Sequence, residues 1–162
     1  MTETPERASR IVPCLQCHSL NRVPLEATKS ATSQGTARPE AKCGKCQTPL
    51  DATREVFDVG TAALHKIVLN SPIPVLVDFW APWCGPCVSF APTFKHFAKD
   101  YAGQMIHLKL DTEANEDAGA AFNIRGIPTL ILFKDEKEKA RQSGAMPLPM
   151  LTQWVKGQVT LV

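Results

Sequence analysis

Short apolar runs alternate with segments of helical periodicity over the last two thirds of the chain. Strands are predicted at 55–59, 73–80, 105–110, 129–133 and 139–143, and the second is a nearly continuous apolar run that suits a strand covered on both faces. Apolar residues recur at helical spacing in 61–70, 84–101, 115–122 and 148–157. This order, ending with two successive strands and a helix, predicts an α/β fold whose central mixed sheet is flanked by helices.

The first 53 residues have a different character, and we place a domain boundary at about residue 54. This segment holds four of the six cysteines and few large apolar side chains. Its middle part, about residues 26–42, is polar and rich in small residues, which predicts a flexible loop. Because little apolar surface is available for burial, a bound metal is expected to supply most of the folding energy of this segment. We therefore expect residues 54–162 to remain folded and active after deletion of residues 1–50.

Composition and charge exclude several classes of protein. The 162 residues are 44% hydrophobic and 21% charged, as in globular rather than disordered or fibrous chains. A net charge of +2 gives no field that favours nucleic acid or an anionic membrane. The sequence shows neither an apolar run long enough to span a membrane nor the apolar core of a secretory signal. A cytoplasmic protein is expected, in which the six cysteines bind metal or carry out redox chemistry.

The pair Cys84 and Cys87 lies between a predicted strand and a predicted helix, where open α/β sheets carry functional groups. At a helix N-terminus, free N–H groups and the positive end of the helix dipole stabilise a thiolate, so Cys84 is the expected nucleophile. The two-residue spacing allows Cys87 to form a disulfide with Cys84 and thereby to resolve a mixed disulfide with a substrate. Pro86 suits the first turn of a helix, where no N–H is needed.

Asp78 is the only charged residue in the predicted buried strand. Burial disfavours the charged carboxylate and raises the pKa of the group, and such groups occur at active sites. We expect Asp78 to accept the proton of Cys87 when that thiol attacks. The alternatives are a solvated aspartate at a sheet edge or turn, or a purely structural role.

Cys14, Cys17, Cys43 and Cys46 form two further C-x-x-C pairs, and four thiolates in two such pairs suit a tetrahedral Zn²⁺ ion. The spacing between the pairs is longer than is usual in zinc ribbons. One zinc ion is expected, with a structural or a redox-sensing role. An iron ion or iron–sulfur cluster, two further redox pairs, or covalent haem at the C-x-x-C-H of residues 14–18 are the alternatives. His18 is expected to be solvated.

Residues 54–162 resemble thioredoxin through DFWAPWCGPC at 78–87, APTF at 91–94 and IRGIPT at 124–129. The whole chain is similar to the zinc-containing bacterial thioredoxins of the thioredoxin 2 type, which carry a four-cysteine segment in front. The resemblance implies a thioredoxin fold preceded by a small zinc-ribbon-like segment, and a cytosolic protein-disulfide reductase. It also implies a monomer that acts on disulfide-containing client proteins and is kept reduced by a flavin-dependent thioredoxin reductase, without binding flavin or nicotinamide itself.

The resemblance further implies roles for residues around the cysteine pair. Cys84 would attack, Cys87 would resolve and Asp78 would be the buried proton acceptor. Lys109 would lie near that aspartate, Trp83 would lie beside the active site, and Pro128 would be a cis-proline that faces the disulfide. The groove that receives an extended client would be lined by Gly85, Pro86, Gly126, Ile127, Gly144 and Ala145.

Two positions depart from the family pattern. Val88 follows Cys87 where many thioredoxins carry Lys or Arg, and the turn at 134–136 lacks the Asn-Gly signal of a tight hairpin. Neither departure removes the thiol chemistry. Two other functions remain open, namely a zinc-ribbon adaptor that only binds extended clients and a disulfide isomerase. Retention of both cysteines, Asp78 and Pro128 favours an enzyme over an adaptor, because an adaptor needs no thiol chemistry.

Overall fold

The computed structural model describes residues 9–25 and 40–162, so the predicted loop at about 26–42 lies mostly outside the described residues. Its strands are β1 Ser9–Pro13, β2 Leu20–Pro24, β3 Val56–Asp58, β4 Val75–Trp80, β5 Ile106–Asp111, β6 Thr129–Lys134 and β7 Lys137–Ser143. Its helices are α1 Thr61–Asn70, α2 Gly85–Asp100, α3 Glu116–Ala121 and α4 Leu148–Lys156. None of these helices has the length and apolar character that crossing a membrane requires.

The main sheet has the strand order β3-β5-β4-β6-β7. Strands β3, β5 and β4 are parallel, β6 is antiparallel to β4, and β7 is antiparallel to β6. The prediction of a central mixed sheet flanked by helices is therefore confirmed. The β1–β2 hairpin of the N-terminal segment forms a separate two-stranded sheet that the apolar pattern did not reveal.

Strand β4 is central and is hydrogen-bonded to β5 on one side and to β6 on the other. Val75, Val77 and Phe79 pack on the face that carries α1 and α3, whereas Leu76 packs on the face that carries α2 and α4. Both faces of β4 are thus covered, which explains the nearly continuous apolar run in its sequence.

The turn between β6 and β7 forms a tight hairpin without Asn-Gly. Asp135 and Glu136 both take left-handed backbone conformations, with φ of 52° and 65°. Such φ values are uncommon for residues with a Cβ, although Asp adopts them more readily than most. The pairing of β6 with the buried β4 fixes its register, so the hairpin closes even though its turn residues are not the favoured ones.

The N-terminal segment shares a hydrophobic core with the rest of the chain. Ile11, Val12, Val23, Leu50 and Ala52 belong to the same buried cluster as the inward face of α1. This contact goes beyond the sequence-based picture, in which the segment had little apolar surface to bury. Removal of residues 1–50 would expose part of that cluster to water. We therefore still expect the remainder to fold, but with a lower free energy of unfolding than in the full chain.

Polar contacts fix the same interface. The Arg10 guanidinium donates hydrogen bonds to the carbonyl oxygens of Ala52, at 3.0 Å, and Arg54. The Lys66 ammonium, in the second half of α1, donates to the carbonyl oxygen of Cys17 at 2.7 Å. Ala52 and Arg54 precede β3, and α1 leads into the start of β4. The N-terminal segment therefore contacts the sheet at the end where the parallel strands begin.

A pair of substitutions tests whether the N-terminal segment stabilises the main domain. Val12 is fully buried, so Val12→Ala should lower the free energy of unfolding by about 2 kcal/mol. Leu15→Ala is the control, because Leu15 is 46% exposed. All three tryptophans, Trp80, Trp83 and Trp154, lie outside the segment, so their fluorescence during urea unfolding reports on the main domain. An unchanged tryptophan transition in Val12→Ala would mean that the segment unfolds independently.

Candidate active site and cysteine cluster

A disulfide joins Cys84 and Cys87 directly after the central strand. Strand β4 ends at Trp80 and helix α2 begins at Gly85, so Cys84 is the N-cap of the helix and Cys87 lies in its first turn. Pro86 occupies the first turn, as its sequence position predicts. The pair thus lies beyond the carboxyl end of β4, at the opposite end of the sheet from the N-terminal segment.

The start of helix α2 provides the electrostatic environment of Cys84. Its Sγ accepts a hydrogen bond from the backbone N–H of Cys87 at 3.2 Å. The positive end of the dipole of α2 lies at the same sulfur. Both cysteine residues are buried, with Cys84 5% exposed and Cys87 1% exposed. A thiolate at Cys84 is therefore stabilised by backbone groups rather than by water.

The loop that contains Pro128 lies against this disulfide. The Ile127–Pro128 peptide bond is cis, and the Ile127 carbonyl oxygen lies 3.8 Å from Cys84 Sγ. The Thr129 hydroxyl donates a hydrogen bond to the Gly126 carbonyl oxygen at 2.5 Å. The backbone N–H of Gly144 donates to the Pro128 carbonyl oxygen at 2.8 Å. The structure therefore brings the segments at 126–128 and 144 together beside the cysteines, and it adds Thr129, which sequence reasoning missed.

Two tryptophans flank the site in different ways. Trp83 is 71% exposed, which makes it the most exposed large apolar side chain near the disulfide. Trp80 is half-buried, and the Lys109 ammonium lies 4.1 Å from the centre of its ring. The contact between Lys109 and Trp80 depends on the β4–β5 register, which no local sequence pattern reveals.

Asp78 lies directly across from Lys109 in the parallel pairing of β4 and β5. Its side chain is fully buried, and among the described residues no group forms a hydrogen bond with either carboxylate oxygen. Burial raises the pKa of Asp78 from 3.8 to about 7, and the positive charge of Lys109 limits the rise. The expected buried carboxyl with a raised pKa is thus present, and it titrates near neutral pH.

The four remaining cysteines come together in the N-terminal segment. All four Sγ atoms lie within 4.8 Å of one another, and the Cys14–Cys46 and Cys17–Cys43 pairs are each 3.6 Å apart. In both C-x-x-C turns, a backbone N–H donates to the carbonyl oxygen of the first cysteine. The donor is His18 for Cys14 and Gln47 for Cys43. This cluster can hold one metal ion, with His18 outside the ligand set.

Asn21 connects the two cysteine turns. Its side-chain oxygen accepts a hydrogen bond from the Gly44 N–H at 3.0 Å, and its amide donates to the Ser19 carbonyl oxygen at 3.0 Å. Hydroxyl groups also accompany two of the sulfurs, because Ser19 lies 3.4 Å from Cys17 Sγ and Thr48 lies 3.2 Å from Cys46 Sγ. The protein itself thus holds the four thiols in a compact arrangement.

Comparison with known proteins places these features in context. Residues 55–157 match the Thioredoxin family. Thioredoxin C-3 of Corynebacterium nephridii is 40% identical over 149 residues, which cover 92% of this chain and 95% of that protein. The M-type chloroplastic thioredoxin of Spinacia oleracea is 42% identical over 65% of this chain and 59% of its own length. The thioredoxin of Haemophilus influenzae is 39% identical over 65% of this chain and 98% of its own length.

The pKa of Asp78 predicts a specific dependence of stability on pH. Between about pH 4 and pH 7, the Asp78 carboxyl is protonated in the folded protein but ionised in the unfolded chain. Stability should therefore fall as the pH rises through this range, by roughly 4 kcal/mol in all. Asp78→Asn removes the titration, so its free energy of unfolding should exceed that of the wild type at about pH 8 and should match it at about pH 4.

Urea unfolding at the two pH values checks this prediction. The control is Asp135→Asn, because Asp135 lies exposed in the β6–β7 turn, where Asn also accepts the left-handed conformation. Asp135→Asn should show no pH-dependent gain in the free energy of unfolding. An equal gain for Asp78→Asn at both pH values would contradict a raised pKa.

Proposed function

This chain belongs to the thioredoxin family, and we propose that it is a protein-disulfide reductase that works by dithiol–disulfide exchange at Cys84 and Cys87. The observation that carries the proposal is the position of the disulfide, at the N-terminus of α2 and against the cis Ile127–Pro128 loop. A helix N-terminus activates one thiol, and its partner one turn later can close the ring.

The exchange proceeds in two balanced steps. In the reduced protein, the Cys84 thiolate attacks one sulfur of a client disulfide, and the other client sulfur leaves as a thiolate. Cys87 then loses its proton and attacks Cys84 Sγ, which releases the second client sulfur and forms the Cys84–Cys87 disulfide. Two electrons pass from the dithiol to the client. The oxidised pair must then be reduced, and we assign this step to a flavin-dependent thioredoxin reductase, with no flavin or nicotinamide held by this chain.

Asp78 is the proposed acceptor of the Cys87 proton. A pKa near 7 lets the carboxyl both take and release a proton at neutral pH, which suits general base catalysis. Lys109 is a positioning residue whose charge keeps that pKa from rising further. In the bound client, an extended strand would lie along Gly126, Ile127 and Pro128, with Trp83, Gly85, Pro86, Gly144 and Ala145 around it.

We further propose that Cys14, Cys17, Cys43 and Cys46 hold one Zn²⁺ ion. Tetrahedral zinc with thiolate ligands requires sulfur–sulfur distances of about 3.8 Å, close to the 3.6 Å of two pairs here. A cluster of several irons would need its thiolates further apart than this group allows. A bound zinc ion supplies folding energy and no redox chemistry of its own, and oxidation of its thiolates would release it. A reducing, cytoplasmic location would keep these four thiols free.

Trapping of a mixed disulfide tests the assignment of the two thiols. With insulin as the client, Cys87→Ser should accumulate a covalent complex, because Cys84 attacks but nothing resolves the intermediate. Cys84→Ser is the matched control and should trap nothing. Mass spectrometry under non-reducing conditions identifies the complex and the linked cysteine. A complex through Cys87, or none with either variant, would contradict the proposal.

Elemental analysis tests the metal assignment. The intact protein should contain one zinc per chain, and Cys43→Ser should lose it because a three-thiolate site binds zinc more weakly. Leu15→Ser is the control, since Leu15 lies between two ligands but is exposed. The presence of iron in place of zinc, or retention of zinc in Cys43→Ser, would show that the assigned ion or ligand set is wrong.

A further inference from the structure

The two cysteine turns of the N-terminal segment have the same local structure. Each has the sequence pattern C-x-x-C followed by any residue and then by Ser or Thr. The residue after the second cysteine, His18 or Gln47, has a left-handed backbone with a φ of 62°. In each turn the N–H of the first cysteine donates to the carbonyl oxygen of Ser19 or Thr48 at 2.9 Å. Both turns therefore end in a residue that carries a hydroxyl group.

That hydroxyl lies beside the second cysteine of each turn. Ser19 Oγ is 3.4 Å from Cys17 Sγ, and Thr48 Oγ1 is 3.2 Å from Cys46 Sγ. A cysteine that binds a metal is a thiolate and has no proton to donate. In the metal-bound state the hydroxyl must therefore be the donor, and a hydrogen bond to a charged acceptor is stronger than one between neutral groups. Each hydroxyl is thus placed to stabilise one proposed metal ligand.

Three of the four cysteines are also covered by other parts of the protein. Cys14 and Cys43 are buried. The Asn21 amide nitrogen lies 3.7 Å from Cys43 Sγ and can donate to it. Cys17 is half-buried and packs against the hydrophobic cluster that lines α1, and its carbonyl oxygen accepts the hydrogen bond from Lys66. These three ligands are therefore shielded, at least in part, from water and from competing ligands.

Cys46 is the exception, because it is exposed. It does not belong to the hydrophobic cluster that includes Cys14 and Cys43. Within residues 9–25 and 40–162, Thr48 supplies the only side-chain hydroxyl or amide within hydrogen-bond distance of its sulfur. The groups that hydrogen-bond to a metal ligand orient it and affect how tightly the metal is held. Retention of the Cys46 thiolate in a metal site therefore depends on Thr48.

We propose that Thr48 is a positioning residue of the metal site, whose hydroxyl holds the exposed Cys46 thiolate in place, and that Cys46 is the first ligand to dissociate. This proposal rests on the proposed binding of zinc by the four cysteines and goes beyond it by ranking the ligands. Water or a competing ligand reaches Cys46 directly, whereas Cys14 and Cys43 are shielded. The ligand that dissociates most easily sets the rate at which the ion is released.

Transfer of zinc to a coloured chelator tests the role of Thr48. At one chelator concentration, zinc-loaded Thr48→Val should release zinc about tenfold faster than the wild type, because the lost hydroxyl orients a ligand. Thr48→Ser keeps the hydroxyl and should release zinc at the wild-type rate. Ser19→Ala should have a smaller effect than Thr48→Val, since Cys17 is half-buried. The matched control is Thr160→Val, the same substitution at an exposed residue near the C-terminus, and it should change nothing.

Alkylation identifies the first ligand to dissociate. With the Cys84–Cys87 disulfide intact, N-ethylmaleimide reacts only with the four thiols of the cluster. After brief exposure of the zinc-loaded full chain, mass spectrometry should find the first label on Cys46. Thr48→Val should raise the labelling rate of this cysteine, and Thr48→Ser should leave it unchanged.

The possible outcomes separate this proposal from zinc binding itself. A first label on another cysteine, or equal zinc release by Thr48→Val and the wild type, would overturn the proposal and leave the metal site in place. Equally fast release by Thr48→Ser or Thr160→Val would also overturn it, because the hydroxyl of Thr48 would then not be responsible. Purification of Thr48→Val without zinc, while Thr48→Ser retains it, would support the proposal. Absence of zinc from the wild type would refute the metal site, and the role of Thr48 with it.

Discussion

The burial of β4 on both faces is the constraint on which the rest of the structure depends. Hydrogen bonds to β5 and β6 and apolar packing above and below fix this strand. Its carboxyl end therefore has a fixed position, and the start of α2 presents Cys84 and Cys87 there. The same burial leaves the Asp78 carboxyl without a hydrogen-bond partner among the described residues, which raises its pKa. The stability cost of that carboxyl and its proposed use in proton transfer have one physical origin.

Cys14 and Cys43 of the cysteine cluster belong to the large buried cluster that covers one face of the sheet, whereas the disulfide lies at the other end of the sheet in a small buried cluster of its own. Buried residues of the N-terminal segment join the cluster that lines α1 and one face of the sheet, and Lys66 binds the backbone of Cys17 directly. A metal ion held by the four thiols would therefore stabilise more than the short segment that supplies them. Because a ligand that binds only the folded state adds its binding free energy to stability, the proposed metal binding would be linked to the folding of the main domain.

Much of the fold could be predicted from sequence, because its strands and helices have strong local patterns. Three of these patterns extend over only a few residues each. They are the apolar run in β4, the helical spacing of Phe90, Phe94 and Phe97, and the C-x-x-C spacing. The β1–β2 hairpin could not be predicted, since Val12 and Val23 are buried by contacts with residues far along the chain. The contact between Lys109 and Trp80 likewise requires a strand register that no local pattern contains.

Hydrogen bonds hold the loop around Pro128 from two directions, through Thr129 in β6 and through Gly144 before α4. A loop fixed in this way loses little conformational entropy when a partner binds along it, so the ordering cost of association falls almost entirely on the incoming chain. For an unfolded or loosely folded polypeptide, that cost is the entropy lost when a few residues adopt one extended conformation. Compact proteins must first release such a segment from their own structure. With the client bound as proposed, the rigidity of this loop would make the rate of reduction depend on the local unfolding of the molecule that is reduced.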